Sequence, residues 1–184
     1  TITLNNGVFI PRVGLGVWKI SDGQAASSAV LWAIGAGYRH IDTAKIYGNE
    51  AGVGEGVRQS HIPREEFFVA TKLWIADQGY ESTLEAIKPS LERLGLGYVD
   101  LYLVHWPYAD EDKTGNKRVE TWRAMEELYR RGVARAIGVS NYTVQHLEEM
   151  KSYATVPPAV NQVEMHPFLY QKELAEYCLK NSIA

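Results

Sequence analysis

The chain has 184 residues, with 19 basic and 22 acidic side chains giving a formal charge of −3, and 46% of its residues are apolar. Such a composition excludes a disordered chain, and the slight acidity gives no general attraction to nucleic acid or to an anionic membrane. The length predicts a single domain over residues 1–184, large enough to bury a substantial core. The chain opens with a hairpin signal. Asn6-Gly7 is the preferred sequence for a two-residue type I′ turn, and Ile2, Leu4, Val8 and Ile10 alternate around it. Six short apolar runs follow, at Val13–Trp18, Arg39–Thr43, Phe67–Lys72, Val99–Val104, Arg135–Val139 and Ala159–Glu164. Their largely apolar middles fit parallel strands covered on both faces.

Segments of helical period lie between these runs. Leu84, Ile87, Leu91 and Leu94 form one apolar stripe, and Val119, Trp122, Met125 and Leu128 form another. Gly37, Gly95 and Gly132 follow three of the helices, where a left-handed residue ends the turn. Pro89 falls inside a helical stretch and predicts a kink or a restart. The stretch Tyr108–Arg118 reads as the longest connection, and Ser182-Ile183-Ala184 as the first step into a seventh strand. Alternating strands and helices predict a parallel α/β sheet, either open and doubly wound or closed as an eightfold barrel.

Several classes are set aside. The single Cys178 excludes an internal disulfide and fits a reducing, cytoplasmic setting. Residues 1–12 lack the pattern of a secretory signal, and no apolar run approaches the roughly 18 residues of a membrane helix. The densest basic cluster, Arg130-Arg131 near Arg135, is too small to track phosphates. Gly14-Leu15-Gly16 does not continue into a dinucleotide-binding fingerprint, because Lys19 stands where the third glycine belongs. The five histidines, at 40, 61, 105, 146 and 166, lack metal-ligand spacing, so no metal is expected.

Polar residues gather at the C-terminal ends of the strands. Asp42 and Thr43 end the second, Lys72 ends the third, and His105 follows the fourth. Ser140 and Asn141 follow the fifth, while Asn161, Gln162 and Glu164 lie in the sixth. In a parallel barrel those ends converge on one mouth. A lysine and an aspartate inside buried strands are costly unless paired, so Asp42 and Lys72 are expected to meet. Such a pair serves equally as a structural ion pair. Tyr47 lies five residues beyond Asp42, and a phenol beside an ammonium is expected to have its pKa lowered toward working pH. It would then donate a proton to a carbonyl oxygen that His105 also bonds.

These residues stand in recognisable surroundings. Gly37-Tyr38-Arg39-His40-Ile41-Asp42-Thr43-Ala44 with Tyr47, Asn49 and Glu50 resembles the aldo-keto reductase family. So do Thr71-Lys72-Leu73-Trp74, Asp100-Leu101-Tyr102-Leu103-Val104-His105-Trp106-Pro107 and Ala136-Ile137-Gly138-Val139-Ser140-Asn141. Val160-Asn161-Gln162-Val163-Glu164 and His166-Pro167 continue the likeness to the end of the chain. Within the family the chain is most similar to reductases of the prostaglandin F synthase and diketogluconate reductase type. The resemblance implies a parallel (α/β)8 barrel with an N-terminal β-hairpin closing its bottom. It also implies NADPH-dependent reduction of a small aldehyde or ketone by direct hydride transfer, in a cytoplasmic monomer. By the same resemblance Tyr47 is the general acid, Lys72 lowers its pKa, Asp42 pairs with Lys72, and His105 orients the carbonyl. Gly16, Val17, Trp18, Asp42, Ser140, Asn141 and Gln162 fall on the cofactor side, the last three against the nicotinamide carboxamide. Trp18, Tyr47, Trp74, His105 and Trp106 fall on the substrate side. Trp32 and Trp122, on helices, are expected to serve packing.

The sequence departs from the family in extent. A closed barrel takes roughly 250 residues, and here only about six strand–helix units are present. The pyrophosphate loop, the grip on the adenosine 2′-phosphate and the substrate-selecting loop would lie beyond Ala184. Either the sequence is a portion of a longer chain, or it is a truncation expected to bind NADPH poorly and to reduce carbonyls slowly. A catalytically weak barrel fragment or a regulatory or binding module of the same family is the alternative function. An unrelated barrel isomerase using Lys72 and Asp42 would not need Ser140, Asn141 and Gln162 together.

Overall fold

The computed structural model describes residues 1–107 and 116–184. Residues 108–115 of the expected long connection lie outside the described residues, and 116–118 already belong to a helix. Strands β1 (Ile2–Thr3) and β2 (Phe9–Ile10) form the expected hairpin, with Ile2 opposite Ile10 and Thr3 opposite Phe9. Its turn differs from expectation. The Gly7 N–H donates to the Leu4 carbonyl at 2.9 Å and the Leu4 N–H to the Val8 carbonyl at 2.8 Å, which makes a three-residue loop. Only Gly7 has a positive φ, +85°, whereas a type I′ turn requires it at both central residues. Tertiary bonds hold the wider loop: Asn5 Nδ2 donates to the Pro158 carbonyl and Asn6 Nδ2 to the Arg135 carbonyl, each at 3.0 Å.

The main sheet contains β3 (Leu15–Gly16), β4 (His40–Asp42), β5 (Phe68–Leu73), β6 (Val99–Val104), β7 (Ala134–Ser140) and β8 (Asn161–Gln162). All neighbours are parallel, and the spatial order is the order of the sequence. A doubly wound sheet reverses its order at a switch point. This one does not, so the architecture is part of a barrel wall. The end strands are shorter than their apolar runs, and Trp18 and Glu164 fall outside them. The chain end continues the ladder: the Ala184 N–H donates to the Ala159 carbonyl at 3.0 Å, and the Asn161 N–H to the Ala184 carbonyl at 2.9 Å. Among the described residues no helix is long and apolar enough to cross a membrane.

The helices are α1 (Gln24–Gly35), α2 (Glu50–Gln59), α3 (Tyr80–Leu94), α4 (Asn116–Arg130), α5 (Val144–Met150) and α6 (Lys172–Lys180). Gly37, Gly95 and Gly132 take φ of +93°, +64° and +71°, as their positions require. Pro89 sits inside an unbroken α3 and marks no restart. Helix α2, poor in helix formers, is held by close approach: a Cβ on Gly54 would lie 2.0 Å from the Leu94 carbonyl oxygen of α3.

The period of two along each strand divides the core. Outward residues such as Val69, Leu73, Tyr102, Val104, Ile137 and Val139 pack against the helices with Trp122 and Met125. Inward residues Phe68, Ala70, Leu101, Leu103, Ala136 and Val160 pack with Leu4 and Ile10 of the hairpin, which closes the bottom. Trp122 is buried as expected, but Trp32 is 76% exposed on α1, contrary to the packing role expected of it. A tryptophan on a helix is buried only where the helix turns that position inward.

Candidate active site

The inward rows change character as they climb. On β5 the row runs Phe68, Ala70, Lys72; on β6 it runs Leu101, Leu103 and then His105, just past the strand. His40 and Asp42 on β4, Ala136 and Ser140 on β7, and Val160 and Gln162 beside and within β8 follow the same alternation. Apart from His40, level with Phe68, apolar side chains fill the lower layers and polar ones the uppermost. The period of two therefore gathers Asp42, Lys72, His105, Ser140 and Gln162 at one end.

Lys72 is the centre of the cluster, and its side chain is fully buried. Its ammonium lies 2.6 Å from Asp42 Oδ2, 2.9 Å from the Thr43 carbonyl and 3.3 Å from the Tyr47 hydroxyl. Three acceptors use its three donors. Burial lowers the Lys72 pKa, while the Asp42 carboxylate opposes that shift.

Tyr47 closes a short 3-10 turn (Lys45–Tyr47), and Gly48 follows in the left-handed conformation. Its ring meets the His105 ring edge-on at 5.6 Å, and Trp74 meets His105 in the same way at 5.4 Å. The pKa of Tyr47 contradicts the expected lowering. Burial of the phenol, and then the nearby Asp42 charge, push it up to about 12. The ammonium lies closer to Asp42 than to the phenol, so its field is largely cancelled there. Tyr47 thus keeps its proton throughout the neutral range. His105 is held neutral, its pKa lowered to about 4 by burial and then by the Lys72 charge.

A cleft of about 700 Å³ opens above this cluster. Trp18, Tyr47, Trp74, His105, Trp106, Ser140, Asn141 and Gln162, all singled out from the sequence, line it. Gln162 Nε2 donates to Asp42 Oδ1 at 3.0 Å. Asn141, at φ +63°, donates from Nδ2 to the His105 carbonyl at 2.9 Å and to Ser140 Oγ at 3.1 Å, and Ser140 Oγ donates to the Gln162 carbonyl at 2.8 Å.

Two candidates stand apart. Gly16 lies on β3 in a neighbouring recess with His40 and Asp42. The Val17 side chain is in the outer core; its N–H donates to the Asp42 carbonyl, and its own carbonyl accepts from Asn49. Ile46 and Val163 also line the cleft, and sequence reasoning missed both. The signal for Ile46 is an apolar residue in a polar turn beside Tyr47.

The family model described as "Aldo/keto reductase family" matches residues 12–184, and the chain belongs to that family. It is similar to the 9,11-endoperoxide prostaglandin H2 reductase of Trypanosoma cruzi, at 53% identity over all of this chain and 62% of that protein. It is also similar to the glyoxal reductase of Bacillus subtilis, at 55% identity over 97% of this chain and 62% of that protein. The solved aldo-keto reductase of Bombyx mori, in complex with NADP, superposes with a TM-score of 0.91 at 38% identity, over all of this chain and 64% of that one. The chain thus spans about three fifths of the length of the curated relatives it matches.

Proposed function

We propose that the chain carries the catalytic end of an NADPH-dependent aldehyde or ketone reductase. The observation that carries this reading is the Lys72 ammonium between Asp42 at 2.6 Å and the Tyr47 hydroxyl at 3.3 Å, with neutral His105 beside the phenol. The side chains fit a nicotinamide at the same mouth. Ser140, Asn141 and Gln162 supply the hydroxyl and amide groups that complement a carboxamide, and Trp18 adds an aromatic wall. The cofactor, when bound there, supplies the hydride.

The chain's own groups handle the oxygen and the proton. A carbonyl oxygen seated between Tyr47 and His105 meets two donors, a phenol O–H and an imidazole N–H. Negative charge grows on that oxygen during reduction, and the Tyr47 proton moves onto it. The phenolate left behind faces the Lys72 ammonium, whose second contact, Asp42, holds it in place. A pKa of about 12 keeps the acid loaded. The aromatic walls Trp18, Trp74 and Trp106 favour flat or apolar carbonyl compounds.

Tyr47→Phe tests the reading. The variant is expected to lose carbonyl reduction, followed as consumption of NADPH, while cofactor binding, followed by fluorescence titration, persists. Turnover equal to that of the unaltered chain overturns the assignment.

A further inference from the structure

Asn49 sits immediately before α2, where an asparagine ordinarily caps the helix by accepting from its first N–H groups. It does not do so here. The side chain is fully buried and turned to two other segments. Its Oδ1 accepts from Thr43 Oγ1 at 2.8 Å, and its Nδ2 donates to the carbonyls of Val17 and Ile20, each at 2.9 Å. The residue forgoes a local cap for three tertiary bonds.

Each bond reaches a part of the cleft. Thr43 follows Asp42, and its carbonyl receives Lys72. The Thr43–Asn49 bond also ties together the two ends of the segment that carries Tyr47. Val17 and Ile20 bracket Trp18, which is 65% exposed on the cleft wall and whose loop contains Lys19 at φ +66°. The neighbouring Glu50 repeats the device on the next strand. Its Oε1 accepts from Thr71 Oγ1 at 2.6 Å, beside Lys72, and Arg93 fixes its Oε2 from α3 at 2.6 Å. Asn49 and Glu50 thus grip the residues next to Asp42 and Lys72 respectively.

We propose that Asn49 is a positioning residue that sets two cleft elements through separate arms of one amide: the Tyr47 turn through Oδ1 and the Trp18 loop through Nδ2. Its place in catalysis rests on the function proposed above, but its structural action does not. An error of about 1 Å in placing reacting groups costs up to about 100-fold in rate. Loosening the Tyr47 arm is therefore expected to lower kcat by about 10- to 100-fold, with NADPH affinity unchanged.

The test uses the full chain labelled with fluorotryptophan and with isotopically labelled tyrosine, each resonance assigned by single substitution. Thr43→Val keeps side-chain volume and removes only the Oδ1 arm; it should move the Tyr47 resonance and leave Trp18 in place. Asn49→Ala should move both, while Trp122, buried on α4, stays unmoved in both variants. Unmoved Tyr47 and Trp18 overturn the proposal, and so does a Trp122 resonance that moves with them, which marks general loosening. If Asn49→Ala does not fold, Thr43→Val alone decides by whether Tyr47 moves. An unaltered chain that reduces no carbonyl overturns the proposed function and leaves the resonance test standing.

Discussion

The Gln162 amide donates to Asp42 Oδ1 at 3.0 Å and so joins β8 to β4, two strands 120 residues apart in sequence. Asp42 is thereby held on both oxygens, since Oδ2 belongs to Lys72. The residue that would meet the nicotinamide carboxamide is also a support of the ion pair. Gln162→Leu leaves Oδ1 without that donor, and the cost is expected to be about 1–3 kcal/mol, read from the urea midpoint. Gln162→Glu is the sharper variant. Two carboxylates so close cannot both ionise cheaply, so the pKa of one rises above its unfolded value. The folded state then binds more protons than the unfolded state, and stability falls as pH rises through the raised pKa. The unaltered chain carries an amide at position 162 and is expected to lack that loss.

Lys72 and Asp42 illustrate the asymmetry of buried pairs. Lys72→Met removes the cation and leaves a carboxylate that is only 15% exposed without its partner. A loss of about 3–5 kcal/mol is expected. Adding Asp42→Asn should recover part of it, because an amide tolerates burial better than an unpaired charge. A double-mutant cycle measured by denaturant unfolding checks this. Additive single effects would contradict the coupling.

The strand ends are legible in the sequence because a period of two and a mostly apolar run are local signals. Those signals alone bring Asp42, Lys72 and His105 to one mouth. The same strand ends carry Ser140, Asn141 and Gln162, the family resemblance adds Trp18, and the cleft gathers all four. Distant partners decide what local signals miss. Asn6-Gly7 obeys a two-residue rule locally, but Asn6 also bonds the Arg135 carbonyl. Asn49 enters the sequence reading only within the family motif, and its bonds to Thr43, Val17 and Ile20 come from the fold. The Tyr47 pKa moves opposite to expectation because burial and the Asp42 charge both push it up. Trp32 gives no sign in the sequence of which way its helix faces.

At the rim, Lys45 and Asp77 form an ion pair at 2.5 Å between the turn that carries Tyr47 and the turn after Trp74. Its side chains are 35% and 22% exposed, so its stability contribution is expected to be below about 1 kcal/mol. Its effect should appear in selectivity, since it ties the turn that carries Ile46 to the turn after Trp74. Lys45→Met is expected to change the KM of a bulky aromatic aldehyde relative to a small aliphatic one and to leave kcat for the small one unchanged. High salt should reproduce the same trend in the unaltered chain. Equal KM changes for both aldehydes would argue against the latch.

His105 provides a pH signature independent of turnover. Its pKa lies near 4 in the folded chain against about 6.5 unfolded. Between those values the unfolded state binds more protons, so stability rises with pH across the window. It is complete above about pH 6.5 and is lost as pH falls toward 4. The slope is expected to approach at most about 1.4 kcal/mol per pH unit from this group. His40 and His146 are also lowered by burial and act in the same direction, so His105→Gln should reduce the slope without abolishing it. Unfolding free energies measured at half-unit steps through the window decide the matter. A His105→Gln variant with an undiminished slope would mean that the imidazole titrates freely and that the cleft floor is wetter than the packing of Tyr47 and Trp74 against it allows.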